Sequence, residues 1–282
     1  FSPQYKQMAV IFEDITVQKQ HEIVLHKNAR RIRSQLKLSE LKTGSRFEVF
    51  DQALVEALEL TDSKIGYIYF YDEKTQQFTL NSWSNAVMKE CTVMEKQTKY
   101  DLDKTGLWGE AVRQRKPIIT NDYQAENPFK KGVPEGHVRM VRHMNLPLIR
   151  NNEIVLVVGV GNKETDYSET DVVQLQLLMD AVWEIYERKK VEDSLLVSEE
   201  NFRNIFYGSA DPIIITDFAN HILEANSAYG ALVKTAGDDR KKVSFLSFLD
   251  PDSKVVWTTN MALIVKSAVP AFELVLTLPD QE

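Results

Sequence analysis

Cysteine is nearly absent from this sequence, which contains only Cys91 among its 282 residues. A single thiol excludes a disulfide within the chain, and such scarcity is typical of a reducing compartment. Long apolar runs are also missing, because no stretch approaches the ~18 consecutive apolar residues of a membrane-spanning helix. No basic and apolar signal sequence opens the chain. We therefore expect a cytoplasmic location and no membrane contact for this stretch of protein.

An excess of positive charge is absent too, since 34 Lys and Arg residues stand against 41 Asp and Glu residues. The net charge of -7 argues against nucleic-acid binding, which requires a basic face. A basic run from Lys27 to Lys37 lies on one predicted helix, and we interpret it as a solvated face. His21, His26 and His221 have no neighbouring ligand residues, so the sequence indicates no metal site.

Catalytic motifs are a third absence. The sequence has no Walker loop, no nucleophile elbow and no Gly-Gly-Asp-Glu-Phe run. Glu56-Ala57-Leu58 spells a phosphodiesterase signature, but it lies in an amphipathic helix without the barrel that this chemistry needs. Gly159-x-Gly161 lacks the third glycine of a dinucleotide-binding loop. We therefore predict no catalytic residues and expect that this chain is not an enzyme.

The first clear pattern is a long helix without Gly or Pro, predicted from Val17 to Lys42. Its apolar residues are spaced four, three and four positions apart and form one narrow stripe, namely Leu25, Ala29, Ile32 and Leu36. A narrow stripe on a polar helix favours a seam between two helices of a dimer. The alternative is a surface helix that lies on its own domain.

The middle of the chain mixes helix and strand signals. A helix follows Ser45 and Glu48, which have the spacing of a capping box. The strand-like segments after it are "IGYIYFYD", "QFTLNSW", "PIITND" and the hairpin "MNLPLIRNNEIVLVVGVGNK". The hairpin turns at Asn151 and Asn152, which indicates antiparallel pairing.

A second long helix starts at Ser168 and Asp171, which form another capping box. Its buried face is predicted at Leu175, Leu178, Val182 and Ile185. After the charged cluster 187–190 a shifted stripe continues at Val191, Leu195, Phe202 and Ile205. We predict that this helix leaves one domain and enters another. We also predict that Leu178, Val182 and Ile185 join the first stripe in a parallel homodimer.

Several segments resemble known families. "GLWGEAVRQRKPIITNDY", "NPFKKGVPEGH", "RHMNLPLIRNNEIVLVVGVGNK" and "YSETDV" together resemble a GAF domain at residues 43–190. "SEENFRNIFYGSADPIIITDFANHILEANSAY" resembles a linker helix at 191–207 and the first part of a PAS domain at 208–282. "VIFEDIT" resembles the closing strand of another, truncated PAS domain at 1–16, followed by a signalling helix at 17–42.

This combination resembles the sensor region of a prokaryotic histidine kinase or diguanylate cyclase. It implies an α+β fold, in which a GAF domain with an antiparallel sheet and helices on one face joins long linker helices and a partial PAS fold. The PAS resemblance predicts a hairpin at residues 213–225 and a strand at Phe272–Leu278. The first strand, Met8–Ile15, is expected either to pair with Ile213–Thr216 of a neighbouring chain or to be frayed.

The resemblance also suggests functional residues. The set Asn162, Lys163, Tyr167 and Asp171 is similar to the Asn-Lys…Phe…Asp-Glu motif of cyclic-nucleotide-binding GAF domains. Tyr167 replaces the Phe and Val172 replaces the Glu, so we interpret the set as structural rather than nucleotide-binding.

A pocket between the sheet and the loops is expected on one face of such a fold. The predicted ligand-binding residues are Trp83, Trp108, Asn121, Asp122, Tyr123, His137, Arg142 and His143, with Phe129 nearby. Aromatic walls with a few converging donors suit a small polar or anionic molecule. The alternatives are that Trp108 belongs to the core and that Asp122 caps a loop.

The cofactor stays unknown at this point. Haem could use His137 or His143, although either histidine could equally be structural. A thioether-linked bilin would need a cysteine near the pocket, and Cys91 lies away from the usual attachment segments, so an inert buried thiol is the simpler interpretation. The predicted function is a sensory input fragment that biases dimeric helices toward an output domain outside this chain. The rival is a ligand-free GAF domain that serves as a dimerising spacer.

Overall fold

A computed structural model of the chain describes residues 13–41, 45, 47–84, 98–131, 138–217, 219–234, 244–264 and 273–275. The predicted strand at residues 8–12, Cys91 and His137 lie outside the described residues. The chain divides into two compact units, Phe1–Val191 and Glu192–Glu282. Each unit is described by itself below.

The first unit combines long helices with one sheet. Its helices and strands are α1 (Thr16–Ser39), α2 (Glu48–Thr61), β1 (Ile65–Asp72), β2 (Gln77–Trp83), β3 (Lys99–Asp101), α3 (Glu110–Arg113), β4 (Ile118–Thr120), β5 (His143–Arg150), β6 (Glu153–Gly161) and the first part of α4 (Glu169–Gly208). Short 3-10 helices at Leu102–Lys104 and Leu107–Gly109 join β3 to α3.

The six strands form a single antiparallel sheet in the order β3-β2-β1-β6-β5-β4. The predicted α+β class and antiparallel pairing are therefore confirmed. The β5–β6 hairpin turns at Asn151 and Asn152, whose φ angles of 49° and 65° are those of a type I′ turn. The central strands β1 and β6 are largely buried because both faces of the sheet are covered.

The main core lies between one face of the sheet and the helices α2 and α4. It includes Phe50, Ile68, Leu146, Leu175 and Leu178, all buried. The opposite face carries an aromatic cluster around Tyr69 and Phe78, against which the short helix α3 places Val112. The long helices thus lie on one face, as predicted, and the four-residue α3 lies on the other.

Helix α1 lies on its own domain through polar contacts. Leu38 near its end is buried in the main core, whereas the contacts before it are hydrogen bonds to carboxylates and amides of α2 and α4. Ser34 Oγ donates to Glu56 Oε2 at 2.7 Å, and Arg31 Nε donates to Gln174 Oε1 at 3.1 Å. The prediction that the basic run is a solvated face is therefore wrong for Arg31, which donates to a neutral amide of α4. It is also wrong for Lys27 and Lys37, which form ion pairs with the buried Asp171 and Glu56.

The apolar stripe of α1 faces away from the domain. Leu25 is 68% exposed, Ile32 and Leu36 are each 58% exposed, and Ala29 is exposed as well. The polar side of α1 therefore lies on its own domain, as the alternative interpretation expects, and the seam between two copies stays a prediction for the open apolar side.

The predicted dimer residues on α4 do not share this exposure. Leu178 and Val182 are completely buried and Ile185 nearly so, all in the main core of their own chain. A face buried in the chain's own core and a face buried in a dimer have the same helical spacing, so periodicity does not distinguish them. These three residues pack on the sheet, which corrects the prediction. On this part of α4 the exposed apolar residues include Val173 and Leu177.

One capping box is also corrected. Helix α2 begins at Glu48 itself, with Phe47 at the N-cap position, so Glu48 cannot be the third residue of the first turn. Ser45 Oγ instead accepts a hydrogen bond from the Phe47 N–H at 3.2 Å.

The second unit contains a small hairpin with short helices. Its elements are β7 (Ile214–Thr216), β8 (Ile222–Ala225), α5 (Ser227–Leu232), a 3-10 helix (Phe245–Phe248) and α6 (Pro251–Ile264). The buried Asn226 organises the hairpin, because its Oδ1 accepts from the N–H groups of Ile213 and Tyr229, each at 2.9 Å. Of the predicted strand 272–278, only 273–275 are described, and they have no regular structure.

Over the described part of the chain, every helix is too short or too polar to cross a lipid bilayer.

Candidate functional site

The sheet face opposite α2 and α4 is shaped by a glycine on the central strand β6. A Cβ atom added at Gly159 would lie 2.2 Å from the Tyr67 ring, so the ring rests directly on the β6 backbone. Tyr67 reaches this position because β1 and β6 pair Tyr67 with Gly159. The absent side chain therefore lets a tyrosine lie across the middle of the sheet.

Tyr67 belongs to a hydrogen-bonded cluster with two buried residues of β5. Its hydroxyl lies 3.2 Å from His143 Nε2 and donates to Asn145 Oδ1, also at 3.2 Å. Asn145 Nδ2 donates in turn to the carbonyl of Trp108. The alternation of β5 explains the pair, since Met144 and Leu146 face the main core while His143 and Asn145 face the other side.

The cluster is uncharged at neutral pH. Burial lowers the pKa of His143 to about 4, so the imidazole is neutral. Burial raises the pKa of Tyr67 well above its ordinary value, with the neighbouring Tyr69 and Tyr123 adding to the rise. A neutral imidazole, a phenol and an amide together offer hydrogen-bond donors and acceptors without a net charge.

Aromatic rings border this cluster. Trp108 packs on Phe78 at 4.8 Å and on Tyr69 at 5.6 Å between ring centroids, and edge-on to Tyr100 at 5.6 Å. Trp83 packs against the same group from the end of β2. The Tyr123 ring meets His143 edge-on at 6.1 Å. Trp108 therefore belongs to an aromatic core and also borders the polar cluster.

Three residues predicted to contact a ligand have other partners. Arg142 precedes His143 on the strand, and its Nε donates to Asp166 Oδ1 at 2.8 Å. Asn121 holds the Tyr167 backbone at two points, with its Oδ1 accepting at 2.8 Å and its Nδ2 donating at 3.0 Å. Asp122 accepts from two N–H groups of the following turn at 3.1 Å each. The polar atoms of these three residues therefore have partners within the protein, and their contact with a ligand stays a prediction.

Tyr123 and Phe129 differ in how far they are buried. Tyr123 is half-buried against Ile65, Val138 and Met140, and burial raises its pKa. Phe129 is exposed on a loop, where its N–H donates to Asn127 Oδ1 at 2.9 Å. The structure thus places Trp83, Trp108, Tyr123 and His143 around the Tyr67 cluster. The polar atoms of Asn121, Asp122 and Arg142 bind the Tyr167 backbone, the following turn and Asp166.

The set predicted to be structural is assembled around the end of β6. Asn162 has a left-handed φ of 60°, and its side chain accepts from the Val141 N–H and donates to the Arg139 carbonyl, both at 2.8 Å. Lys163 Nζ donates to the buried Asp171 Oδ2 at 2.8 Å. The Tyr167 hydroxyl lies 2.7 Å from Ser63 Oγ. These contacts tie the loop before β5 to the start of α4.

Two central residues, Tyr67 and Asn145, were not predicted. The signal for Asn145 was available in the alternation of "HMNLPLIR", because a residue two positions from His143 must face the same side. Tyr67 was harder to find, because "IGYIYFYD" reads as an ordinary buried strand. Its role depends on Gly159, which lies 92 positions away in the sequence.

Two further observations on the described residues concern metal binding and a surface depression. No group of three or more His, Cys, Asp or Glu side chains in the described ranges could hold a metal ion. A shallow depression beside the loop at residues 124–130 is open to solvent and separate from the sheet face.

Comparisons with known proteins give consistent matches. A family model described as GAF domain matches residues 45–187. A methyl sulfide methyltransferase-associated sensor from Methanosarcina acetivorans is 46% identical over 185 residues, which cover 66% of this chain but only 18% of that protein.

Solved structures resemble the chain at low identity. The GAF domain of a phosphoenolpyruvate-protein phosphotransferase from Coxiella burnetii matches with a TM-score of 0.50 and 14% identity, covering 60% of this chain and 98% of that one. A free methionine-R-sulfoxide reductase from Neisseria meningitidis, in complex with its substrate, has a TM-score of 0.48 and 11% identity, covering 66% and 98%. The first of these likenesses concerns the fold alone.

Proposed function

Because this chain belongs to the GAF domain family, we propose that it is a non-catalytic sensory input module that binds a small ligand on the Tyr67 face of its sheet. The bound ligand biases the packing of α1 and α4. Those helices pass the change to an output domain outside this chain, a histidine kinase or a diguanylate cyclase. The name of the Methanosarcina relative, a sensor, supports the sensory part of this proposal.

The observation that carries the proposal is the buried, uncharged cluster of Tyr67, His143 and Asn145 inside an aromatic wall. Polar groups on a buried sheet face are costly unless they have partners. In the structure these three groups bond to one another and to the Trp108 carbonyl. A ligand with its own donors and acceptors would exchange with those contacts.

The same observation sets the class of ligand. We propose an uncharged or weakly polar molecule rather than the anion that the sequence suggested. An anion needs a cation or a set of aligned N–H groups, and Arg142 already pairs with Asp166. Flat, partly apolar molecules suit tyrosine and tryptophan walls.

A parallel homodimer provides the element on which the ligand acts. Helices α1 and α4 run side by side in the same direction, because Lys27, Arg31 and Gln35 contact Asp171, Gln174 and Leu177 in turn. The exposed stripe of α1 and the exposed Val173 and Leu177 of α4 then offer apolar surface to a second copy. We propose a bundle of α1 and α4 from two chains.

Charges beside the α1 stripe favour the parallel orientation. In the heptad that has Ala29 at position a and Ile32 at position d, Arg33 lies at position e on one side of the stripe. Asn28 and Gln35 lie at position g on the other side. Two parallel helices bring the arginine flank of one beside the amide flank of the other. Antiparallel helices bring arginine beside arginine, which is unfavourable.

We propose that the second unit is the first part of a PAS domain. Its support is the β7–β8 hairpin and the Asn226 side chain that caps α5. The absence of catalytic motifs from the sequence supports a non-catalytic module, and the scarcity of cysteine supports a cytoplasmic location.

Denaturation of the purified chain, followed by mass spectrometry of what is released, tests the proposal. We expect a small uncharged molecule, and a coloured preparation would indicate haem or bilin. Asn145→Leu removes hydrogen bonds worth about 0.5–1.5 kcal/mol each, so it should lower the retained amount severalfold. Arg142→Gln is the matched control and should retain the ligand.

Two results would decide against this site. Loss of the ligand from Arg142→Gln with full retention by Asn145→Leu would move binding elsewhere. Preparations that release nothing, together with unchanged dimer formation, would favour the rival function of a ligand-free dimerising spacer.

A further inference from the structure

Asp171 lies at the point where α1, α4 and the end of β6 meet. Its carboxylate is 1% exposed, and its two oxygens have different partners. Oδ2 accepts from Lys163 Nζ at 2.8 Å and from the N–H and hydroxyl of Ser168 at 3.0 Å each. Oδ1 accepts from Lys27 Nζ of α1 at 2.8 Å. One carboxylate therefore holds both the sheet end and the signalling helix.

We propose that Asp171 couples the sheet face to α1 by sharing its single negative charge between Lys163 and Lys27. Lys27 acts in this scheme as a positioning residue for α1. The inference rests on the proposed function, because it describes how the state of the Tyr67 face reaches the helix.

The connection from the sheet face to Lys163 is short. His143 pairs with Gly161 across the end of β5 and β6. The next residue, Asn162, donates its N–H to the Arg142 carbonyl at 2.9 Å, and Lys163 follows it directly. Arg142 Nη1 also contacts the Lys163 carbonyl at 3.4 Å. A change in the position of His143 therefore displaces the backbone that carries Lys163.

The charge arrangement converts that displacement into a change at α1. Two ammonium groups and one carboxylate leave one excess positive charge where Lys163 is 9% and Lys27 only 16% exposed. Each lysine weakens the hold of the other, because like charges repel strongly in a poorly solvated place. Moving Lys163 closer to Asp171 therefore weakens the ion pair between Lys27 and Asp171. Moving Lys163 away strengthens that ion pair, because Lys27 then binds the carboxylate without a competing ammonium group.

The position of Lys27 along α1 makes it sensitive to this exchange. Among the described residues, it makes the N-terminal-most hydrogen bond from α1 to the rest of the first unit. Leu38, at the other end, is buried in the main core and holds the helix firmly. Loss of the Lys27 contact should therefore free the N-terminal half of α1 while its C-terminal end stays in place.

Hydrogen exchange of the whole chain, followed by mass spectrometry, tests the contact. We expect Lys27→Met to speed exchange in the N-terminal half of α1 by about tenfold, with β5 and β6 unchanged. Lys27→Arg keeps the charge and should restore most of the protection. Lys19→Met is the matched control, because Lys19 lies on the same helix and pairs with the exposed Glu22.

Lys163→Met gives the sharper test, because charge sharing predicts an effect of the opposite sign. Its removal leaves Asp171 to Lys27 alone, so exchange in α1 should slow. Faster exchange in Lys163→Met, or equal effects of Lys27→Met and Lys19→Met, would overturn the proposal.

A double-mutant cycle separates this inference from ligand binding. His143→Gln should change α1 exchange by about threefold or more when Lys27 is present and leave it unchanged in the Lys27→Met background. Additive effects would refute the coupling and leave ligand release, measured separately, untouched. A coupled cycle in a chain that releases no ligand would refute the proposed function and keep the coupling.

Discussion

At the scale of single residues, His143 carries a buried imidazole whose protonation is linked to folding. Its pKa is about 4 in the folded chain against an ordinary value of 6.5. The unfolded chain therefore binds a proton between these two values while the folded chain does not. Stability is full above the ordinary pKa and falls as the pH drops toward the folded value.

We expect this histidine to remove about 2 kcal/mol of unfolding free energy between about pH 7.5 and about pH 5. His143→Gln removes the titrating group. The unfolding free energy of this variant should therefore change less than that of the wild type over the same pH range, by the amount given above. Urea unfolding of both proteins at several pH values measures the difference. If the unfolding free energies of the two proteins changed equally with pH, the imidazole would not be desolvated in the folded chain.

Some residues that the structure brings together can be grouped from the sequence and others cannot, for a physical reason. Asn162, Lys163, Tyr167 and Asp171 lie within ten positions of one another, so a motif can record their joint geometry. Tyr67 and Gly159 meet only through strand pairing, which no local pattern encodes. The charge of Arg142 is visible in the sequence, but its ion pair with Asp166 appears only in the structure.

At the scale of elements, α1 illustrates a different limit of sequence reading. Periodicity located the helix and its apolar stripe, and the strands β1 and β2 follow the quoted segments residue for residue. Periodicity could not show which side of α1 meets the domain. That side is polar, because Glu56, Asp171 and Gln174 are buried there with partners on α1.

The exposed stripe leads to a prediction about assembly. Ile32→Asp places a charge on an exposed surface of the single chain, so it should not unfold the domain. In a dimer the same carboxylate would be buried against its copy, at a cost of about 3 kcal/mol or a hundredfold in Kd. Light scattering should therefore show monomers.

Two control variants accompany this measurement. Val24→Asp makes the same change at an exposed apolar residue off the stripe and should leave the mass unchanged. Val182→Asp should unfold the domain instead, because Val182 is completely buried in the main core. A wild-type chain that is already monomeric at high concentration would contradict the proposed seam.

At the scale of the whole molecule, α4 begins in the first unit and ends in the second. At 40 residues it measures roughly 60 Å. Its second part exposes large apolar side chains at the spacing of a coiled coil, namely Val191, Leu195, Phe202 and Ile205. In the proposed dimer, a signal that leaves the GAF domain along α4 passes through this stretch, so we expect the pairing of the two copies here to affect how it is transmitted.

The charges beside this stripe favour parallel helices. Glu192 and Glu199 occupy the same flank in successive heptads, and Ser194 and Asn201 occupy the other. Parallel copies place each glutamate beside a neutral flank, whereas antiparallel copies place glutamates beside each other. Residue 195 of one copy should therefore lie opposite residue 195 of the other.

Cysteine cross-linking checks this arrangement, and the scarcity of native thiols makes the experiment clean. In a Cys91→Ser background, Leu195→Cys puts one thiol on the stripe, and a parallel pair in register brings the two copies within disulfide reach. Mild oxidation should then give a covalent dimer in high yield. Glu200→Cys, on the side away from the stripe, is the control and should stay largely monomeric on a non-reducing gel. Equal yields from the two positions would indicate random collision, and cross-linking at neither would mean that α4 does not pair with its copy along this stretch.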